Sequence, residues 1–230
     1  MRLITMNVMR IKAMPTMLLS ALLLFSAWGV CAADDPDPGT ASNPLGDLRS
    51  VLGELRNGGF VLYFRHTATD QSGVGDAEAD LGRCETQRNL STAGRAEAAQ
   101  IGKSIKALRI PVGSVLASPL CRAQETARLA FGRVAVSKDL YFVLGADESA
   151  MNRLRDALRR MLSTPPPPGT NVVLVSHSAN LREAAGIFAK PEGVAYVFRP
   201  LPNGKFEAVA RILPQDWSGV APPARASAAR

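Results

Sequence analysis

Apolar positions along this chain fall into two rhythms. Short, nearly unbroken apolar runs at 60–65, 112–117, 134–136, 172–176, 194–199 and 206–212 read as strands. Between them, apolar residues recur three or four apart and read as amphipathic helices. Leu48, Val51, Leu52 and Leu55 give a helix over 45–56, stopped by Asn57-Gly58-Gly59. Ser91 is a good N-cap for a helix over 92–108, with a stripe of Ala96, Ala99, Ile101, Ile105 and Leu108. Ser118-Pro119 is expected to cap and start a helix running to Phe131, because proline tolerates the first helical turn. Further helices are expected over 149–162 and 179–189, with Pro165–Gly169 as a rigid connector and Pro202-Asn203-Gly204 as a turn. Strands alternating with helices predict an α/β fold of three layers, α/β/α, around a mainly parallel central sheet.

The ends depart from this pattern. Arg2, Arg10 and Lys12 precede an apolar stretch from Met14 to Trp28, and Val30-Cys31-Ala32-Ala33 then supplies small residues. That is the design of a secretory signal peptide cleaved after Ala32 or Ala33, too short for a membrane span. The lead-in Trp28-Gly29-Val30 fits a lipoprotein cysteine poorly. The expected organisation is a signal peptide over 1–33, a flexible linker over 34–44, a folded domain over 45–217 and a disordered tail over 218–230. The expected location is the periplasm or the outside of the cell, with no stable membrane span once the leader is gone.

Charge and cysteines narrow the partners. Without 1–33 the chain has 24 basic against 20 acidic residues, a net of +4 rather than +7. This modest excess suits an anionic substrate. No dense basic run is interleaved with aromatics, so no nucleic acid partner is expected. Cys84 and Cys121 remain, and in an oxidising compartment such a pair is a candidate disulfide, with two free thiols as the alternative. Neither cysteines nor histidines show zinc-site spacing, and no metal or cofactor is expected. Nothing in the sequence bears on oligomeric state.

The chain has two histidines, and both follow apolar strands. His66 stands after Arg65 at the end of the first strand, and His177 stands after Ser176 at the end of the 172–176 strand. In open α/β sheets that edge is where ligands bind. A third strand end carries Ser118-Pro119-Leu120-Cys121-Arg122-Ala123-Gln124-Glu125-Thr126-Ala127. Between the first two motifs, Thr67 to Arg88 is a long irregular loop, a common functional element.

Together these motifs, with Leu90-Ser91…Gly94…Ala98, resemble the histidine phosphatase superfamily, also called phosphoglycerate mutase-like, over about residues 58 to 190. The stretch to about 217 looks like an exported single-domain branch of it. The resemblance implies a histidine phosphatase-like fold and a metal-independent phosphatase that hydrolyses a phosphomonoester, small or protein-bound, through a phosphohistidine intermediate. His66 would be the nucleophile and His177 would contact the phosphoryl oxygens, while Arg65 and Arg122 would grip them. Arginine suits this work because its planar fork stays charged and binds two oxygens. Ser118 is a further candidate for substrate binding. Thr67 replaces the glycine usual after Arg-His, and its hydroxyl is expected to add a phosphate hydrogen bond. Glu148 is the candidate general acid, with Asp147 and Asp139 as alternatives. Without such an acid, phosphohistidine or acyl phosphate becomes the favoured substrate. The other readings are therefore a phosphohistidine protein phosphatase and a non-catalytic phosphate-binding protein of the same fold.

Overall fold

The first strand is apolar on both faces because its side chains feed two separate cores. Leu62 and Phe64 join one, Val61 and Tyr63 the other, and none is more than 1% exposed. The computed structural model describes residues 45–72, 75, 79–143 and 145–220, so the expected leader and linker and positions 221–230 lie outside the described residues. In chain order the elements are α1 (Leu48–Asn57), β1 (Val61–Arg65), α2 (Thr92–Ala107), β2 (Val112–Ala117), α3 (Cys121–Phe131), β3 (Ala135–Val136), α4 (Glu148–Ser163), β4 (Asn171–Ser176), α5 (Ser178–Ala185), β5 (Ala195–Leu201), β6 (Lys205–Ile212) and α6 (Asp216–Val220). Single 3-10 turns occur at Cys84–Thr86 and Lys138–Leu140.

The strands form one sheet in the order β3-β2-β4-β1-β5-β6. The first four run parallel; β5 is antiparallel to β1, and β6 to β5. Side chains of α1, α2, α3 and α6 pack into one core, and those of α4 and α5 into the other. The three-layer α/β/α architecture with a mainly parallel sheet is thus the one found.

Several local expectations change. The 92–108 helix buries Gly94, Ala98, Ile101, Ser104 and Ile105, while Ala96 is exposed. The stripe is rotated because Gly94 packs directly on the Ala68 carbonyl, where a Cβ would collide with backbone. Ser91 does cap this helix, accepting from the Gly94 N–H at 3.0 Å. Ser118 does not cap α3, which begins at Cys121 after Leu120. The 179–189 helix is shorter, ending where Gly186 turns left-handed. Residues 218–220, expected in the tail, belong to α6, which runs to Val220 and buries Trp217 completely, stacked 5.9 Å from Phe64.

Candidate active site

Parallel pairing of β1 with β4 sets Arg65 opposite Ser176, so both chains leave the sheet at the same edge. His66 and His177 follow directly, with ring centroids 5.4 Å apart and each at most 2% exposed. Different neighbours orient the two rings. The Nδ1 of His66 donates to the Thr67 carbonyl at 3.0 Å, which leaves Nε2 as the unprotonated nitrogen of a neutral ring. His177 uses the other nitrogen: its Nε2 bonds the Ser118 hydroxyl at 2.8 Å, and its buried Nδ1 has no partner among the described residues. The fully buried Tyr63 donates to the His177 carbonyl at 2.7 Å, tying β1 to the start of α5. Phe142 packs edge-on to the His177 ring at 5.0 Å. It is held there by Ser176 and Asn180, which donate to the carbonyls of Leu140 and Tyr141 at 2.8 and 2.6 Å.

Three arginines surround the pair. Arg122 is 0% exposed, donates to the Arg88 carbonyl at 3.3 Å and lies over Phe142 at 5.8 Å. Arg65 donates to the Ala189 carbonyl at 3.1 Å and to Glu192 at 3.0 Å. Arg88 donates to Gln71 at 3.2 Å and stands 3.9 Å from Glu192. Burial, followed by the charge of Arg122, holds His66 well below its ordinary value of 6.5; Arg65 and Arg88 act the same way, against the Thr67 bond. His177 is likewise held low by burial, then by His66 and the three arginines. Both rings are therefore neutral near neutral pH, the state in which an imidazole nitrogen is a nucleophile.

The loop before α2 is stapled to α3. Cys84 and Cys121 form a disulfide with their Cα atoms 5.7 Å apart, as the oxidising-compartment reading expects. The buried Gln87 accepts from the Cys121 N–H at 2.8 Å and donates to the Asp80 carbonyl at 2.8 Å. The first N–H of α3, the helix that carries Arg122, is not free for an anion, because Gln87 takes it.

Two expected substrate contacts are turned inward. The Thr126 hydroxyl donates to the Arg122 carbonyl at 2.8 Å, so its oxygen accepts from both the Thr67 N–H at 3.2 Å and the Thr67 hydroxyl at 3.1 Å. Thr67 thus has no hydroxyl proton left for a phosphate oxygen. Ser118 is fully buried, and its hydroxyl is shared between His177 and the Leu120 N–H at 3.3 Å. It orients a histidine.

Among the described residues no hydrogen bond or ion pair joins the expected acids to this cluster. Glu148 is the first residue of α4, exposed and without a hydrogen bond or ion pair among the described residues. Asp147 caps α4 by accepting from the Ala150 N–H at 2.8 Å, and Asp139 pairs with Arg153 at 2.8 Å. Among the described residues, the carboxylate that reaches Arg65 and Arg88 is Glu192, which no motif singled out. The Pro191-Glu192-Gly193 turn signal ahead of the 194–199 strand was the available clue. Arg88 was also missed, as a lone basic residue before Asn89-Leu90-Ser91. Among the described residues no group of three or more His, Cys, Asp or Glu side chains could hold a metal ion, and no helix is long and apolar enough to cross a membrane.

Residues 61–140 match the model of the histidine phosphatase superfamily (branch 1). This span runs from β1 through Arg122 to the Lys138–Leu140 turn. Among solved structures, the chain is similar to the protein histidine phosphatase SixA complexed with tungstate, with 17% identity and a TM-score of 0.49 over 68% of this chain and 98% of that one. An alpha-ribazole phosphatase from Shigella flexneri is similar at 16% identity and a TM-score of 0.48, over 65% of this chain and 94% of that one. A mycobacterial glucosyl-3-phosphoglycerate phosphatase is similar at 16% identity and a TM-score of 0.45, over 66% and 95%. No curated protein matches the sequence.

Proposed function

We propose that this protein is a phosphatase that needs no metal, hydrolysing a phosphomonoester through a phosphohistidine at His66, in the periplasm or outside the cell. The observation that carries this reading is the opposed orientation of the two rings. His66 keeps its proton on Nδ1 and presents Nε2, while His177 is held by Nε2 and presents Nδ1. Nε2 of His66 attacks phosphorus and the bond to the leaving oxygen breaks, with that oxygen taking a proton. Water then attacks the phosphohistidine, the P–N bond breaks, and phosphate and free His66 are restored. A phosphoryl group in transfer spreads negative charge over its oxygens, so positioning and positive charge account for most of the catalysis. Arg65, Arg88 and Arg122 supply that charge, and His177 meets an oxygen through Nδ1. The test is phosphate release from p-nitrophenyl phosphate in EDTA by wild type and His66→Ala. Activity that survives EDTA and vanishes in the variant is expected; equal activity in the two proteins sinks the mechanism.

One observation favours the phosphohistidine reading as a second possibility. Asp139, Asp147 and Glu148 are engaged elsewhere or exposed, so none stands ready to protonate an alkoxide. A site in which none of these three acids serves favours leaving groups that depart readily, such as an imidazole or a carboxylate. Rates on an alkyl phosphate, an aryl phosphate and a phosphohistidine peptide decide it. Equal rates on alkyl and aryl esters rule this second reading out. The proposed location is supported by the basic-then-apolar N-terminal sequence and by the disulfide. N-terminal sequencing of protein from the periplasm or medium should begin at Ala33 or Asp34.

A further inference from the structure

The sheet face that packs against α4 and α5 is not filled to its β2 side. The core there draws on β1, β4 and β5, and β2 meets it through the half-buried Leu116. Beside Leu116 a cavity of about 310 Å³ lies between the sheet and α4. That is the lower end of the roughly 300–1,000 Å³ typical of ligand pockets. Its floor is Leu116, Val172 and Leu174, from two paired strands, and Ala157 and Met161 of α4 form one wall. Pro165, Pro166 and Pro167 form another. Strands, a helix and a proline run are stiff supports, so the hollow is built before any ligand arrives.

The cavity has few polar groups, and one of them has nothing to bind. Asp139 lines it, but its carboxylate pairs with Arg153 at 2.8 Å. The Thr164 hydroxyl donates to the Arg160 carbonyl at 2.7 Å. The Arg160 side chain lines the same cavity, is exposed, and has no hydrogen bond or ion pair among the described residues. An apolar hollow beside an unanswered guanidinium fits a molecule with an apolar body and one anionic head. The body takes apolar surface of both partners out of water, and the head meets the planar fork of the arginine. The lining includes neither histidine and none of the three arginines around them, so this is not the phosphate pocket.

We propose that this cavity binds a short amphiphilic anion, of the class of a medium-chain carboxylate, with its chain along Leu116, Val172 and Leu174 and its carboxylate on Arg160. The probe is octanoate, measured by calorimetry with wild type, R160Q and A157L beside the uncharged octanol, with circular dichroism to check folding. Arg160 is exposed, so R160Q keeps the fold. It is expected to bind octanoate about five-fold more weakly than wild type, and octanol equally well. A157L fills the hollow and is expected to lose both ligands. Hexanoate, two methylenes shorter, is expected to bind wild type about ten-fold more weakly than octanoate. R160Q that binds octanoate as tightly as wild type places the anion elsewhere, the histidine cluster included, and overturns the proposal. Folded A157L with unchanged octanoate binding does the same. Wild type that binds no octanoate overturns it too; if that protein sediments as a dimer that A157L dissociates, the occupant is a second copy of the chain.

Discussion

The ends of β1 and β4 are neighbours in the same sheet, and each delivers a histidine to the same edge. They treat it differently. After β1 the ring is held by its own backbone, through the Thr67 carbonyl one residue on. After β4 the ring is held from another element, through Ser118 beyond β2, and its carbonyl is held by Tyr63 from β1. The local bond is indifferent to what the rest of the site does, and it fixes which nitrogen is the base. The long-range bonds make His177 depend on the mutual position of three strands. A nucleophile needs a fixed tautomer, whereas an oxygen-binding group needs a fixed position. On the proposed mechanism the two strand ends provide one of each.

Removing the rings one at a time is the harshest way to break this comparison. His66→Ala should lower kcat by at least about 10⁴-fold and abolish covalent labelling by phosphorylated substrate. His177→Ala should cost about 10²–10³-fold, the usual effect of losing one transition-state donor, and should still label at His66. Labelling of His66→Ala but not of His177→Ala would exchange the two roles. The next largest effect concerns what both rings share. The disulfide holds the loop whose Arg88 carbonyl accepts from Arg122, so Cys84→Ser with Cys121→Ser should cost about 2–4 kcal/mol of stability in urea titration. It should also weaken phosphate binding, and an unchanged phosphate affinity would detach the staple from the site. Ser118→Ala tests the long-range support alone. It should lower kcat by about ten-fold, a cost of about 1.4 kcal/mol, with KM little changed. A loss as large as that of His177→Ala would mean that the serine itself meets the substrate.

Sequence periodicity exposed the sheet and both histidines because these depend on local pattern: an apolar run, then a polar residue at its end. Arg65 and Arg122 were legible for the same reason, each at a fixed offset from a strand. What stayed hidden is polar and tertiary. Ser118-Pro119 reads as a helix cap, yet α3 starts later because the serine hydroxyl bonds a histidine 59 residues away. Glu148 looked like an acid poised before a helix and is an exposed helical residue, while Glu192, in an unremarked turn, holds two arginines. Gln87 is an ordinary loop residue by sequence, and its role appears once α3 presents the Cys121 N–H. Trp217 was placed at the edge of the domain, and its stacking on Phe64 is a contact that no periodicity in a five-residue helix announces.

The gentlest probe of the two strand ends is the proton itself. Both histidines are held well below 6.5 when folded, with burial as the leading cause in each. The unfolded chain therefore takes up protons as pH falls through 6.5, while the folded protein resists, and linkage makes stability decline in that direction. Between pH 7 and pH 6 each histidine should remove about 0.7 kcal/mol, with full stability present above the unfolded value. Thermal melts of wild type should thus drop more steeply below pH 6.5 than those of a His66→Asn, His177→Asn double variant. Parallel pH profiles in the two proteins would show that the rings are not kept neutral by the fold. Inorganic phosphate gives the opposite sign. A bound dianion offsets the three arginines and lets a ring hold its proton, so the protection conferred by a fixed concentration of the dianion should grow as pH falls from 7 to 6. Phosphate would then act most strongly where the empty site is weakest, and repeating these melts in His66→Asn and His177→Asn separately would show which strand end carries the proton.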